Sequence, residues 1–312
     1  MTSLWVGVTD NDWFDVVSRV PGIDEVNFWQ PGGGSKAFRV LQPGEPFLFK
    51  LHSPFNRITG GGYFVKQTVL PISLAWEAFD VKNGARSFSE MRALILKRRR
   101  ETPDSRDDFT IGCVLLTQPF FFSRSEWLPV PSDWHPAIQQ GKRYSSVEEP
   151  GKSLWEKVRM RLAWLPGYAA PEQRVDDSAR YGKETLVRPR LGQGAFRVLV
   201  TDAYDRACAI TEEHSLPALE AAHIKPFNES GPNAVNNGIL LRSDFHRLFD
   251  RGYITITPEY RIEISRRLKE EFENGRSYYP FHGHKLSHLP VSSEDCPQKE
   301  LLTWHNERIF RD

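Results

Sequence analysis

The chain has 312 residues, of which 39% are hydrophobic and 26% charged, with a net charge of +1. These globular proportions exclude a wholly disordered or collagen-like chain, and the length predicts two domains, each able to bury a core. No apolar run approaches the roughly 20 residues that cross a bilayer, and Met1 to Val6 lack a basic patch followed by an apolar core, so the chain reads as soluble, unexported and cytoplasmic, with no membrane partner.

Cys113, Cys208 and Cys296 form no CxxC pair, which excludes a disulfide framework and a cysteine-based structural zinc site. In chain order, the first half reads as β-rich. Gly44-Glu45-Pro46 is a turn signal before the apolar run Phe47 to Leu51, and Ile58 to Val65 form a second strand entered through Gly60-Gly61-Gly62. Short strands with Gly/Pro punctuation suggest a small barrel. Ser87 to Arg100 spaces Phe88, Met91, Leu94 and Leu96 like one helix face and closes in Lys97-Arg98-Arg99-Arg100, a basic tetrad that also suits a solvated helix end.

Ile111 to Leu116 resumes the strand pattern, prolines follow, and a domain edge is placed near residue 150. Leu154 to Leu165 has a helical period, 168–186 looks like a linker, and Gly194 to Ala207 is predicted helical. Further on come two short apolar segments around the polar run 223–237, a helix capped at Ser243-Asp244, and a hairpin from Tyr253 to Ile264.

Charge is unevenly distributed. Residues 151–200 hold 10 basic and 5 acidic side chains, and residues 201–250 hold 4 and 8. A basic excess before an acidic one suits a phosphate approach leading into a cation-binding centre; chance variation in surface charge explains the counts equally well.

The polar residues of 219–252 are more specific. Leu219-Glu220-Ala221-Ala222-His223-Ile224-Lys225-Pro226 is followed by Asn236-Asn237-Gly238-Ile239-Leu240-Leu241 and by Asp244-Phe245-His246-Arg247-Leu248-Phe249-Asp250-Arg251-Gly252. This resembles the HNH nuclease family, built on a ββα-metal hairpin and helix, over about residues 188–265. The lead-in, Arg188 to Arg197 and Cys208 to Thr211, looks like that of the restriction-type branch.

Phosphodiester hydrolysis needs a base for water and a cation for the charge developing on the phosphate and the departing 3′ oxygen. His223 is the candidate base, since a neutral imidazole suits that task near pH 7. His246 and Asp250, four apart, lie one above the other on a helix and suit Mg, Mn or another first-row divalent ion. For Asp250 the ordinary alternative is pairing with Arg247 or Arg251.

Asn237 stands nine before His246, the interval of the family's structural asparagine, and could bridge backbone groups across the loop; Asn236 substitutes if the register slips by one. The family has a metal-binding Asp or His directly before the base, where this chain has Ala222. Glu220 or Asp244 are candidates for a further ligand, although strand alternation puts Glu220 opposite His223, so that it would need a bulge. Arg188, Arg190, Arg197 and Lys225 are candidate DNA-backbone contacts. His282, His284 and His288 invite a zinc reading that no cysteine supports.

The aromatic-rich segment containing Leu41 to Lys50 and Ile58 to Phe64 looks like the strand pair of PUA-like barrels, including the EVE group, over about residues 1–130. That resemblance implies a pocket for a modified or flipped base, with Trp13, Trp29, Phe55 and Asn56 as loop-proximal candidates, although packing is the usual fate of such aromatics. The expected fold class is α+β: a PUA-like β-barrel at 1–150, a helix and linker at 151–187, and a ββα-metal HNH nuclease domain at 188–312. The expected function is a modification-dependent, modified-cytosine restriction endonuclease acting on double-stranded DNA, as a homodimer if both strands are cut. The alternatives are a sequence-specific or RNA-directed HNH nuclease, and a non-catalytic DNA-binding protein whose metal site has degenerated at Ala222.

Overall fold

A computed structural model describes residues 2–32, 38–99, 103–104, 107–165 and 191–312 of the chain. It divides into two compact units, Met1–Arg190 and Leu191–Asp312. The linker expected at 168–186 lies outside the described residues. Among the described residues, no helix is long and apolar enough to cross a membrane.

In chain order the first unit holds β1 (Ser3–Thr9), α1 (Asn11–Val17), β2 (Glu25–Gln30), β3 (Pro46–Leu51) and β4 (Arg57–Pro71). Then come α2 (Ile72–Phe79), α3 (Phe88–Leu96), β5 (Thr110–Phe121), β6 (Leu128–Pro129), β7 (Gly141–Ser145) and α4 (Gly151–Leu162). The sheet order is β2-β5-β4-β3-β1-β7 with β6 beside β4; β1 and β3 pair in parallel and the other pairs are antiparallel.

The barrel expected for this region is not closed. Among the described residues β2 pairs with β5 and β7 with β1, and nothing joins these two ends of the sheet. What the sequence shows as an unbroken apolar run is instead a central strand buried on both faces. Along β3, Leu48 points into a core with Leu4, Val6, Ile58 and Phe120, which α4 covers with Leu154, Val158 and Leu162. Phe47 and Phe49 point the other way, into a cluster with Trp13, Phe14 and Val17 of α1. The first unit therefore runs past residue 150 and includes α4.

The glycine run in β4 allows close approach between strands. A Cβ on Gly60 would lie 2.2 Å from the carbonyl oxygen of Phe120, and one on Gly61 would lie 2.6 Å from that of Phe47. Two residues of the basic tetrad after α3 do more than face solvent. Arg98 pairs with Asp10, which caps α1, while Arg99 donates to the carbonyls of Pro31 and Thr110.

The second unit contains α5 (Gln193–Ala203), β8 (Leu219–His223), β9 (Gly238–Arg242) and α6 (Ser243–Asp250), then β10 (Ile254–Ile256), β11 (Ile262–Ile264), α7 (Arg267–Phe272) and α8 (Lys299–Arg308). β8 and β9 form an antiparallel pair in which His223 faces Gly238. On α6, Phe245 and Phe249 are fully buried. Their i,i+4 spacing anchors one helix face in the core and leaves the adjacent row, His246 and Asp250, on its flank.

His305 of α8 is buried at 2% exposure, stacks on Phe249 at 3.8 Å, and lies between the Thr255 hydroxyl and the Phe249 carbonyl. Burial pushes its pKa down to about 4.

Two stability outcomes follow. Gly60→Ala must push β4 and β5 apart and should destabilise the first unit by about 1–3 kcal/mol, more than Gly62→Ala, whose Cβ would meet Leu116 at 3.2 Å; thermal unfolding of both variants checks the order. Because folded His305 resists protonation that the unfolded chain accepts, stability is lost as pH falls from about 6.5 to about 4, by roughly 3 kcal/mol from this group. Amide protection in α8 and β10 should fall over that window in the wild type and fall less in His305→Asn. Equal loss in both would remove His305 as the cause.

Candidate active site

His223 ends β8, where the strand leaves the pairing with β9 and a polar loop begins. Its ring stacks on Phe196 of α5 with centroids 3.8 Å apart and planes 11° apart. Gly238, opposite it on β9, has no room for a side chain: a Cβ there would lie 2.4 Å from Val200 and 3.0 Å from Phe196.

His223 Nε2 lies 3.1 Å from Asn233 Oδ1, and the Asn233 amide nitrogen donates to the Leu191 carbonyl at 3.0 Å. With the Asn233 amide oriented by that carbonyl, its oxygen faces the imidazole and requires a proton on Nε2. Nδ1 then carries the lone pair. Burial holds the His223 pKa below the usual histidine range; the Asn233 bond and Asp250 oppose this, and the charge of His246 adds to it.

Asn237 is completely buried. Its side-chain oxygen accepts from the Lys225 backbone N–H at 2.9 Å, and its amide nitrogen donates to the carbonyls of Lys225 at 2.9 Å and Pro232 at 2.8 Å. One amide thus ties both ends of the loop that follows His223. Asn236 does not share this position; its carbonyl accepts from the backbone of Gln298.

His246 lies between two carboxylates. Nδ1 is 2.6 Å from Glu220 and Nε2 is 3.2 Å from Asp250. Burial alone would lower its pKa, but hydrogen bonds and charge from Asp250 and Glu220 outweigh that and raise it. β8 has no bulge at Glu220, which stays on the strand face opposite His223, as alternation requires, and reaches His246 from there.

Asp244, the other candidate ligand, is gripped by Arg242 through two bonds of 2.7 and 2.8 Å and accepts from the Tyr278 hydroxyl. The Arg242 bond is the largest influence holding its carboxyl below the ordinary range. A carboxylate so occupied is a poor metal donor.

Nε2 of His246 and a carboxylate oxygen of Asp250, 55% exposed, converge from adjacent turns of α6, a nitrogen and oxygen donor set that fits a divalent cation with waters or phosphate oxygens completing its shell. Among the described residues, no three His, Cys, Asp or Glu side chains gather around one point. Two protein donors are therefore what α6 offers.

The other candidates are more dispersed. Lys225 places its ammonium over the Trp304 ring at 5.3 Å, Arg197 is half-buried on α5, and Arg188 and Arg190 lie outside the described residues. His282 accepts from the Ile264 backbone and His288 lies 3.8 Å from Asp205, so each serves a separate local contact.

In the first unit, Trp13 and Trp29 line a cavity of about 660 Å³ with Trp5, Phe28, Phe38 and Phe47, while Asp10, Arg98, Gln30 and Gln140 supply polar groups. Trp13 is nearly buried and donates to the Asn27 carbonyl; Trp29 donates to that of Asn83. Phe55 and Asn56 are not in its wall: Phe55 packs edge-on against Trp127, and Asn56 accepts from Lys50.

Asn233, Phe196 and the Glu220 contact were not singled out by sequence reasoning. Asn233 is four residues before Asn237 in a polar loop where no periodicity marks one side chain above another.

Residues 208–257 match the HNH endonuclease family. No curated protein matches the sequence. Among solved structures, the chain is similar to the modification-dependent TagI restriction endonuclease at 14% identity, over 97% of this chain and 81% of that one, with a TM-score of 0.29. The family match falls on the β8–β9 hairpin and α6, the segments that carry His223, Asn237, His246 and Asp250: this segment is an HNH endonuclease domain, and the chain that carries it is a nuclease.

Proposed function

We propose that the protein is a divalent-metal-dependent endonuclease of double-stranded DNA, directed to modified bases, modified cytosine above all. In this reading the first unit accepts an extruded base and the second hydrolyses the phosphodiester. The observation that carries it is one neutral imidazole, His223, near a second, His246, that shares its outer nitrogen with a carboxylate.

His223 Nδ1 takes a proton from water. The oxygen of that water attacks phosphorus, and the bond to the 3′ oxygen breaks. A neutral base near pH 7 contributes typically 10²–10⁴-fold. His246 and Asp250 would hold a cation whose charge stabilises the phosphate and the departing oxygen. Asn237 fixes the loop, and Arg188, Arg190, Arg197 and Lys225 supply positive charge toward the DNA backbone. One such centre cuts one strand, so a double-strand break calls for a two-fold dimer.

The cavity of the first unit falls within the roughly 300–1,000 Å³ of small-molecule sites and has their composition, aromatic walls with a few polar groups. Stacking on Trp29, with Trp13 holding the wall behind it, offsets the few kcal/mol that base extrusion costs.

With Mg or Mn, His223→Ala should cut duplex DNA about 10²–10⁴-fold more slowly while keeping its thermal unfolding profile; an undiminished rate would refute the assigned base. Trp29→Ala should lose preference for modified over unmodified duplex of one sequence in a binding titration, whereas Phe55→Ala, outside the cavity, should keep it. Equal wild-type affinity for both duplexes would end the base-reader reading.

A further inference from the structure

β8 pairs with β9 residue for residue from Leu219 to His223, and Glu220 projects from it to within 2.6 Å of His246 Nδ1. Asp250 stands 3.2 Å from the other ring nitrogen. The two nitrogens of an imidazole face away from each other, so a cation on Nε2 beside Asp250 is out of reach of Glu220. Both carboxylates, when ionised, only accept, and a neutral imidazole has one proton to give. The shorter contact, to Glu220, takes it.

We propose that Glu220 is a positioning residue of the metal site, holding the proton of His246 on Nδ1 so that Nε2 directs its lone pair toward Asp250. Glu220 is then not the missing third ligand. This rests on the reading above that His246 and Asp250 hold the cation. It also accounts for a carboxylate two residues before Ala222, on the same strand face, at the ring edge of His246 rather than at the ion.

The test uses the full chain with ¹⁵N-labelled histidine, free of metal, at a pH where His246 is neutral. Long-range ¹H–¹⁵N correlation should place the wild-type proton on Nδ1. In Glu220→Gln, equal in size but uncharged, Asp250 becomes the stronger acceptor and the proton should move to Nε2; in Asp250→Asn it should stay on Nδ1. Calorimetric titration with Mn²⁺ should show Glu220→Gln weakened about 10–100-fold with one site retained.

A wild-type proton on Nε2 would overturn the proposal, as would a Glu220→Gln variant that keeps both the wild-type tautomer and Mn²⁺ affinity. So would Glu220→Gln losing the Mn²⁺ site with its tautomer unchanged, the behaviour of a direct ligand. Failure of the metal reading itself looks different: Mn²⁺ affinity would be unchanged in Asp250→Ala, whatever the tautomer measurement gives.

Discussion

The nuclease unit depends on one buried amide. Asn237 satisfies both backbone groups of Lys225 and the carbonyl of Pro232, closing the loop between two strands that share only five paired positions. Removing one partner of such a buried set leaves the others unsatisfied, at about 1–3 kcal/mol each. The same closed loop carries Asn233, so the amide that holds the backbone also fixes what faces His223. Loop geometry and the tautomer of His223 are therefore one structural fact.

Two imidazoles in one small unit are driven apart in their titration. His223 stacks on Phe196, is half-buried, and has an uncharged partner; burial dominates and its pKa falls. His246 is also half-buried but has carboxylates on both nitrogens, and these outweigh burial. Environments that separate the pKa values of like groups also separate their roles. Here the neutral ring is suited to accept a proton from water, and the ring among carboxylates is suited to a cation.

The site was legible in the sequence where local periodicity carries it. Phe245 with Phe249 and His246 with Asp250 are paired rows of one helix, and the apolar runs around 219–224 and 238–241 are the hairpin that presents His223. Contacts that depend on how a helix lies across a strand were not legible. Alternation along β8 sets Glu220 opposite His223, and only the placement of α6 brings His246 to it. α8 was missed because only Leu302 and His305 of its ten residues are buried, and Leu301 and Trp304 beside them are half-buried, too sparse a pattern for a periodic signal. Sheet closure failed for a related reason: strand patterns report which faces are buried, whereas pairing partners such as β1 and β3, some 40 residues apart, are set by tertiary packing.

The open sheet of the first unit bears on how its cavity can work. A sheet buried on both faces needs large apolar side chains on each, and the aromatic cluster that fills one face also lines the cavity: Trp13, Phe28 and Phe47 belong to both. Trp13 is held by the Asn27 carbonyl and by edge contacts to Phe28 and Phe49, so its position is fixed by the core rather than by a ligand. A wall set in this way is rigid before anything enters it, and binding there incurs little ordering cost. The polar groups at the cavity are differently constrained. Asp10 already caps α1 and pairs with Arg98, so its carboxylate is committed, and Gln30, His52, Gln139 and Gln140, which also line the cavity, carry groups that can donate and accept. In the proposed reading, discrimination between related bases comes from hydrogen bonds to these side chains in a pre-formed aromatic slot, with stacking common to all of them.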